Sequence, residues 1–502
     1  MQVATKEYLS QFQSLCDQRK QEIRSTKDIA PRDVCGNTYY VSNNGSDRND
    51  GKTPEAAWAT LAHVSEAALM SGDCVRFRRG DIFRGTLNCK AGVTYTGFGE
   101  GEKPRFYGWK KSLADPELWV CMDEEHHIWK YIDQISDCGT IVFNDGEYHS
   151  RKLIPSYVHG RFVCRDNESK PFVMAQEMTE DLDIFCYYVG NQEVIPERGG
   201  TYPIPNVLSG SDGDLYLRCD RGNPGEVFQE IEAVPWNLCI NACGNPHVHI
   251  DNICMKYARF GVGGGWPHVI GLHVTNCEIG WIGGNIQNYS GADPNYPEGK
   301  YGSVTRFGNA IEIYGGCEDF LVSNCYVYQV YDAGMSHQVS TNGHRFVMRN
   351  IKYADNVIEK CVYGIEYFLD KNIGGEDSYM DHVEMCGNII FDSGYGWGQQ
   401  RHNKHTPAHI KGWSYDNTAS NYTIHDNIFG RAGYRMVHLV AKEKESCPTM
   451  ERNTYIQDLG ACLGSYGFNR ITEPVTLPFD EHAEENILDV FGEVNPTVYY
   501  IE

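Results

Sequence analysis

Two glutamates stand in closely similar settings, each inside a short apolar run. Glu312 lies in G-N-A-I-E-I-Y and Glu366 lies in Y-G-I-E-Y-F. A carboxylate between large apolar neighbours costs free energy unless it is paired, hydrogen-bonded or used in chemistry. Two carboxyl groups in different surroundings can act as acid and base, because the surroundings separate their pKa values. We therefore expect Glu312 and Glu366 to be catalytic, with Asp332 as a third carboxylate; the alternative is three plain solvated positions.

A degenerate repeat carries these residues between about residues 236 and 460. Its aligned segments span residues 250–265, 274–285, 322–338, 353–368, 384–400 and 424–439. A single repeat cannot bury its apolar face, whereas a stack of repeats buries a continuous column. The pattern predicts stacked coils with asparagine at a left-handed corner, a conformation that this residue tolerates. The expected corner asparagines are Asn252, Asn276, Asn324, Asn356, Asn388 and Asn427, with Cys277 and Cys325 as small fillers beside two of them.

The second strand of each repeat can be aligned on its apolar residues. One column then contains Glu312, Ser336, Glu366, Gly398 and Val437. Neighbouring strands lie about 4.8 Å apart, so two rungs separate the Cα atoms of Glu312 and Glu366 by about 9.6 Å. Glycoside hydrolysis uses two carboxyl groups, about 5–5.5 Å apart for retention and about 6.5–9.5 Å apart for inversion. The spacing suits such a pair but leaves open the stereochemistry and which carboxylate is acid, base or nucleophile.

Aromatic and amide side chains accompany the carboxylates on adjacent rungs. Aromatic faces take up the apolar faces of a sugar, and a few polar groups fix its hydroxyls. From the aligned strands we expect ligand contacts from Tyr314, His337, Gln338, Tyr367, Trp397 and Gln399. The basic segment 399–411 is expected to add Arg401, His405 and His409 as a lip over the site, or to be a plain solvated insertion.

Residues 36–108 carry a recognisable order of strand, polar loop, helix and strand. The segment T-Y-Y-V-S-N-N-G-S-D is followed by W-A-T-L and then by S-G-D-C-V-R-F-R-R-G-D-I-F-R-G-T-L. This block resembles the opening of the single-stranded right-handed parallel β-helix, the pectate-lyase-like superfamily. The resemblance implies an all-β solenoid whose first coil is capped by a small helix, expected over residues 56–70. It extends to the parallel-β-helix glycoside hydrolases, which include β-xylosidases, fucosidases and lacto-N-biosidases.

The expected organisation follows from these patterns. Residues 1–35 form an amphipathic helix and lead-in, 36–108 the cap and first coils, 109–235 an inserted β-rich subdomain, 236–460 the coils with the active site, and 461–502 a C-terminal cap.

The charge balance restricts the partners. The 502 residues include 44 basic and 67 acidic side chains, a formal net charge of −23. Such a chain repels polyanions, so nucleic acid and anionic membrane are poor partners and a mostly neutral oligosaccharide is expected. No apolar run reaches the length of a membrane span. The charged N-terminal segment lacks the apolar core of a signal peptide, and the 19 cysteines form no C-x-x-C pair. We therefore expect a cytoplasmic protein with reduced thiols.

Cofactors are not indicated by any motif. No phosphate-binding or dinucleotide-binding glycine fingerprint is present, so no organic cofactor is expected. The loop D-R-N-D-G at residues 47–51 could hold calcium through carboxylates and backbone carbonyls, or be a simple turn.

Three functions are consistent with the sequence. The first is a glycoside hydrolase that cleaves a short, mostly neutral oligosaccharide with the carboxylate pair. The second is a polysaccharide lyase or uronate epimerase, for which residues 401–411 could supply the cation and the base. The third is a non-catalytic carbohydrate-binding β-helix. The sugar, the linkage and the oligomeric state stay open.

Overall fold

The computed structural model describes most of the chain. The residues outside its description are 28–33, 154, 159–160, 165–177, 188–193, 198–199, 204–211, 265–267, 291–302, 341–343, 371–376, 401–405, 415–417, 442 and 469–474.

Three long sheets, here called A, B and C, run along the molecule. In spatial order, sheet A contains Gln2–Val3, Thr497–Ile501, Thr454–Asp458, Ile428–Phe429, Ile389–Phe391, Val357–Glu359, Tyr326–Val330, Glu278–Ile282, Cys254–Ala258, Arg105–Tyr107 and Ile82–Arg84. Sheet B contains Thr38–Val41, Cys74–Arg78, Thr94–Phe98, His249–Asp251, His273–Thr275 beside His268–Ile270, Gly316–Ser323, Val347–Ala354, Tyr379–Cys386, Thr418–His425 and Thr449–Glu451. Sheet C contains Val475–Pro478, Cys462–Phe468, Arg435–Ala441, Ala408–Ser414, Tyr363–Asp370, Ala333–Ser340, Ile311–Tyr314, Phe260–Gly264, Leu238–Asn241 and Leu87–Asn88.

The chain visits the sheets in turn, which makes the fold a parallel β-helix, as predicted. One coil runs from Ile311–Tyr314 in sheet C through Gly316–Ser323 in sheet B to Tyr326–Val330 in sheet A. The next coil begins at Ala333–Ser340, which pairs in parallel with Ile311–Tyr314. Side chains from all three sheets point into the space between them and form one continuous apolar core. Alternation along the strand sets which residues point inwards, except where a left-handed residue such as Asp319 shifts it by one.

Helices and a separate β unit decorate this coil. The described part of residues 109–235 forms two sheets with their own core, antiparallel except where Arg151–Lys152 pairs in parallel with Asp183–Tyr187. Their strands are Trp119–Asp123, Ile128–Tyr131, Ile141–Phe143, Tyr148–His149, Arg151–Lys152, Asp183–Tyr187, Asp214–Arg218 and Ile231–Ala233. Three hairpins complete the described strands: Pro155–Val158 with Arg161–Cys164, Val194–Glu197 with Gly200–Pro203, and Asn285–Ser290 with Ser303–Phe307. The described helices are Lys6–Ser25, Leu61–Glu66, Pro224–Val227 and Ala483–Asp489, with short 3₁₀ turns at Pro54–Ala56, Pro116–Leu118, Asn144–Gly146, Trp397–Gln400 and Lys444–Ser446.

Two of these helices were anticipated from the sequence. Helix Lys6–Ser25 lies on the outer face of sheet A, where Cys16 and Ile23 are buried and Arg24 Nη2 pairs with Glu278 at 2.9 Å. The cap helix is shorter than the predicted 56–70 and covers only Leu61–Glu66. Its N-cap Thr60 is extended, and Trp58 before it pairs with Val41 as strand rather than helix.

A ladder of buried asparagines sets the height of each rung at the corner between sheets B and A. The main-chain N of Asn388 donates to Oδ1 of Asn427 at 3.0 Å, and that of Asn427 to Oδ1 of Asn453 at 3.0 Å. Asn356 bonds in the same way to Asn388, at 3.1 Å. At one end of the ladder Cys325 donates to Asn356, and at the other Asn453 donates to Glu493.

The predicted left-handed asparagine corner is confirmed in three coils and wrong in three. Asn252, Asn276 and Asn324 have φ of 53°, 55° and 51°. In the later coils the residue before the asparagine takes the left-handed conformation, as at Asp355, Gly387 and Asp426. That shift of one residue turns Asn356, Asn388 and Asn427 inwards, where their amides bond to the next rung instead of to their own turn.

The ladder predicts a large effect of a small substitution. We expect Asn388→Ala to lower the free energy of unfolding, because the substitution leaves buried groups of Asn356 and Tyr353 unpaired, each costing about 1–3 kcal/mol. The urea midpoint measures the change. Asn44→Ala, at an exposed position, is the control and should stay within about 0.5 kcal/mol of wild type. Equal urea midpoints for Asn388→Ala and Asn44→Ala would show that the ladder does not contribute to the stability of the fold.

Candidate active site

One line of outward-facing residues follows the rungs of sheet C. It contains Asn88, Asn241, Gly263, Glu312, Ser336, Glu366, Lys411, His438 and Ser465. Its neighbours in each strand, such as Ile311 and Ile365, are buried in the core. Glu312 and Glu366 are therefore displayed on the same face and separated by the rung of Ser336, as the alignment predicted. Two rungs place their Cα atoms about 9.6 Å apart.

The predicted column is wrong beyond Glu366. Gly398 lies in the 3₁₀ turn Trp397–Gln400, outside the sheet, and strand Ala408–Ser414 fills that rung with Lys411. On the following rung His438, not Val437, continues the line. Val437 is fully buried, because a one-residue shift in a strand exchanges the core face for the outer face.

Glu312 lies in a cleft of about 310 Å³. The cleft is lined by Leu238, Asn241, Arg259, Phe260, Gly263, Gly264, Phe307, Glu312 and Tyr314. The pKa of Glu312 is raised to about 7, mainly by burial and also by the charges of Asp332 and Glu366, against the opposing effects of Arg259 and Gln338. Gln338 Nε2 donates to Glu312 Oε1 at 3.4 Å. A large fraction of Glu312 is thus protonated at neutral pH, as a general acid requires.

Glu366 has the opposite environment. Lys411 Nζ lies 3.0 Å from Glu366 Oε1, and Trp413 Nε1 donates to the same oxygen at 3.3 Å. The ammonium group stabilises the negative charge on Glu366. Lys411 is held in turn over the ring of Tyr363, 3.8 Å from its centroid. Two carboxyl groups on one face therefore have contrasting surroundings, the usual mark of an acid and base pair.

An aromatic line runs beside the charged one, two residues further along each strand. Tyr314, Gln338, Phe368 and Trp413 occupy it on successive rungs. The rings of Phe368 and Trp413 lie 4.2 Å apart at their centroids, and those of Tyr314 and Phe368 lie 6.5 Å apart.

Tyr314 and Gln338 were predicted as contacts and lie on this face. Phe368 was missed, although strand alternation from Glu366 would have found it; Trp413 and Lys411 were missed because their strand was misplaced.

Asp332 is at the corner that leads into strand Ala333–Ser340 and is 7% exposed. Its charge acts on Glu312, so the structure brings the three predicted carboxylates into one electrostatic neighbourhood.

His337 and Tyr367 are not ligand contacts, contrary to prediction. They alternate with the outward line and point into the core, where the two rings stack at 5.6 Å and 6°. His337 Nδ1 lies 2.9 Å from Tyr353 Oη. Burial lowers the pKa of His337 to about 3, so this imidazole is a neutral core residue.

The predicted lip residues also lie elsewhere. His409 is fully buried, 2.8 Å from Ser393 Oγ and 2.6 Å from the carbonyl of Gly430. Trp397 is buried and donates to the carbonyl of Gln329 at 2.8 Å. Gln399 is exposed in the 3₁₀ turn, off the sheet C face. Arg401 and His405 lie outside the described residues.

Potential metal ligands occur away from this face. In the proposed calcium loop, Asp47 accepts hydrogen bonds from the main-chain N of Ala59 and Thr60 at 2.8 and 3.1 Å. On sheet B the ligand atoms of Glu384, Cys386 and His425 lie within 4.8 Å of one another. Neither group touches the column on sheet C. None of the described helices is long and apolar enough to span a membrane.

Comparison with known proteins gives distant structural similarity only. No protein-family model and no curated protein matches the sequence. The chain is similar to XylC in the solved structure of its complex with xylose. The two share 13% identity with a TM-score of 0.41, and the match covers 92% of this chain and 82% of that one. The chain is also similar to a GH136 lacto-N-biosidase from Eubacterium ramulus, with 12% identity, a TM-score of 0.33 and coverage of 99% and 72%. A Family 28 exopolygalacturonase from Yersinia enterocolitica has 13% identity, a TM-score of 0.25 and coverage of 93% and 78%.

The buried imidazole of His337 predicts a pH dependence of stability. Its pKa is lowered from 6.5 to about 3 in the folded protein, so below pH 6.5 the unfolded chain binds a proton that the folded chain does not. The contribution of this group to the free energy of unfolding is fully present above pH 6.5. It is lost as the pH falls towards 3, by up to about 1.4 kcal/mol per pH unit. His337→Phe should remove that part of the slope.

Urea unfolding between pH 7 and 4 measures the effect. His482→Phe is the control, because the His482 side chain is 65% exposed and should leave the wild-type slope unchanged. A wild-type slope in His337→Phe would show that the imidazole is not held neutral in the core.

Proposed function

We propose that this protein is a glycoside hydrolase that cleaves a short oligosaccharide lying across the outer face of sheet C. The observation that carries the proposal is the contrast between two carboxyl groups on one line of the sheet. Burial favours the protonated form of Glu312, and Lys411 at 3.0 Å favours the ionised form of Glu366. Environments that separate a carboxyl pair in this way assign the acid and the base.

The roles follow from the protonation states. Glu312 donates its proton to the glycosidic oxygen as the bond from that oxygen to the anomeric carbon breaks. Glu366 accepts a proton from a water molecule whose oxygen bonds to the anomeric carbon from the opposite side. Lys411, on the rung beyond Glu366, holds the Glu366 carboxylate on the side away from Glu312, which leaves room for that water, and we therefore propose inversion of configuration. Asp332 acts through its charge, which helps to keep Glu312 protonated.

The aromatic line provides the sugar-binding surface. Tyr314, Phe368 and Trp413 lie beside the carboxylates on successive positions of the same face. Their rings can stack on the apolar faces of pyranose units while Gln338 bonds to hydroxyls. The described cysteines are free thiols, which supports our proposal of a cytoplasmic enzyme that meets small imported oligosaccharides.

A polysaccharide lyase acting on uronates is the second candidate. It is favoured by the cations Lys411 and Arg435 beside His438 at the end of the column, where burial and these two charges lower the pKa of His438 to about 3 and keep the imidazole neutral. A lyase needs a cation for the uronate carboxylate and a base at its α-carbon. Ultraviolet absorbance of an unsaturated product from uronate polymers, with no hydrolysis of any glycoside, would replace the first proposal with this one.

Substitution of the two glutamates tests the assigned roles. Glu312→Gln should slow the release of a poor leaving group from an aryl glycoside by roughly 10²–10⁴-fold, and slow a dinitrophenyl leaving group far less, because that group leaves without protonation. Glu366→Gln should slow both. Glu100→Gln, at a side chain that is 85% exposed, is the control and should match wild type. Equal effects of Glu312→Gln on both leaving groups would reject the acid role.

The pH profile tests the same assignment without mutation. Glu312 must be protonated to act, and its pKa is about 7 in the free protein. The kcat/KM of wild type should therefore fall as the pH rises through about 7, by tenfold per pH unit on the alkaline side. A kcat/KM that stays level between pH 6 and 9 would contradict the assignment.

A further inference from the structure

The guanidinium of Arg259 occupies an unusual position in the wall of the Glu312 cleft. Arg259 lies at the corner between strands Cys254–Ala258 and Phe260–Gly264. Its guanidinium carbon is 3.7 Å from the ring centroid of Trp236, 4.2 Å from that of Phe307 and 4.6 Å from that of Phe260. Aromatic rings that cover the faces of a guanidinium leave the N–H donors at its edge for a ligand.

This cation has no anionic partner in contact within the described chain. Arg259 Nε is buried and has no hydrogen-bond partner. Burial lowers the pKa of Arg259 to about 10, against the opposing charges of Glu312 and Asp137, which act at a distance. By contrast, Arg84 Nη2 lies 2.6 Å from Glu232, and the fully buried Arg306 donates to the carbonyls of Gly284 and Gly139 at 2.7 and 3.0 Å. Arg259 as a whole is partly exposed to the cleft, but a guanidinium whose Nε is buried without such a partner is unfavourable, and cation–π contacts offset only part of that cost.

The cleft beside Arg259 has room for one sugar unit. Its volume of about 310 Å³ is at the lower end of the range for ligand pockets, about 300–1,000 Å³. Gly263 occupies the rung next to Glu312 and keeps the cleft open, since a Cβ atom there would lie 2.4 Å from Leu238 Cδ2. A larger residue at this position would displace Leu238 and fill the space in front of Arg259 and Glu312.

We propose that this cleft binds the acidic sugar of a mostly neutral oligosaccharide, and that the guanidinium of Arg259 binds the carboxylate of a uronic acid. The inference rests on the glycoside hydrolase function proposed above and names the sugar at one subsite. The planar guanidinium matches a carboxylate with two parallel N–H···O bonds. Phe260, Phe307 and Tyr314 supply apolar contact to the ring, and Glu312 faces the glycosidic oxygen of the same sugar.

The net charge of −23 does not oppose this assignment, because a single carboxylate in contact with a cation is governed by the local field. Nor does the arrangement favour a polyuronate, since among the residues that the structure describes Arg259 is the only guanidinium lining the cleft, and the neighbouring rungs present Ser336 and Glu366.

Binding of an acidic sugar also prepares the general acid. The positive charge of Arg259 lowers the pKa of Glu312, and nearby negative charges raise it. A carboxylate bound to Arg259 neutralises the first effect and adds to the second. The alkaline limb of kcat, which reports the enzyme–substrate complex, should therefore lie at higher pH than the limb of kcat/KM, which reports the free enzyme. A neutral sugar in the cleft would not produce this difference in pH between the alkaline limbs of kcat and kcat/KM.

Paired substrates test the proposal. The probes are aryl glucuronide against aryl glucoside and aryl galacturonide against aryl galactoside, which differ only in the carboxylate. We expect wild type to favour one uronide over its neutral partner, and Arg259→Met to reduce that preference by roughly 30-fold or more, the usual effect of removing one partner of a close charge pair. Arg259→Lys, which keeps the charge without the fork, should retain an intermediate preference and provides the measurement if Arg259→Met does not fold. Arg221→Met is the control: Arg221 also lies over two aromatic rings, in the inserted unit, and its loss should not change the preference.

Two outcomes separate this inference from the function on which it rests. If wild type cleaves the neutral glycosides as well as the uronides and Arg259→Met does not change the ratio, the acidic subsite is overturned and the hydrolase stands. If no glycoside is cleaved, the hydrolase fails, and calorimetric titration with free glucuronic and galacturonic acid then decides the subsite. Binding that is lost in Arg259→Met supports it, and binding that is absent or equal in both proteins overturns it.

Discussion

The buried asparagine ladder is the interaction on which the rest of the molecule depends. Each ladder amide bonds to the asparagine of the next coil or its counterpart and to a main-chain carbonyl of the preceding coil, as Asn388 does with Asn427 and with the carbonyl of Tyr353. The same bonds repeat at Asn427 and Asn453. Because a side chain in the interior cannot leave these groups unpaired without cost, the coils between Cys325 and Glu493 are held at fixed heights. These are the coils whose sheet C strands carry Glu312, Ser336, Glu366, Lys411 and His438.

The fold could be predicted from the sequence because each repeat carries turn-forming residues at its corner. The sequence also predicted the rungs of Glu312, Ser336 and Glu366, since A-I-E-I-Y, G-M-S-H-Q and G-I-E-Y-F align on the apolar residues of their sheet C strands. It failed on the following rung, because G-W-G-Q-Q aligns as a strand although it forms a 3₁₀ turn, and the strand that carries Lys411 comes later in the chain. The assignment of His337 and Tyr367 as ligand contacts failed for another reason. Both are polar aromatic residues, and their position in the strand alternation, shared with Ile313, decided their direction.

The electrostatics of the site could not be read from the chain. Glu312 and Glu366 have almost identical neighbours in sequence, yet opposite charge environments. The difference comes from residues of other coils: Lys411 reaches Glu366 from the next rung, and Arg259 reaches the Glu312 cleft from the corner of an earlier coil. The net charge of the protein likewise does not predict the local charge in the wall of one cleft. There a guanidinium is surrounded by three aromatic rings.

Helix Lys6–Ser25 has dimensions that match the solenoid it crosses. Tyr8 stacks on Tyr499 near one end of sheet A, and Arg24 pairs with Glu278 six strands away. Six strand spacings amount to about 29 Å. Between its two contacts, from Tyr8 to Arg24, the helix rises about 24 Å, and the side chains of Tyr8 and Arg24 span the difference. The helix thus acts as a molecular ruler for the coil count between its two contacts. Evolution of this scaffold by duplication or loss of a coil in that interval would have to change the helix by about three residues at the same time, whereas coils outside the interval are free of that constraint.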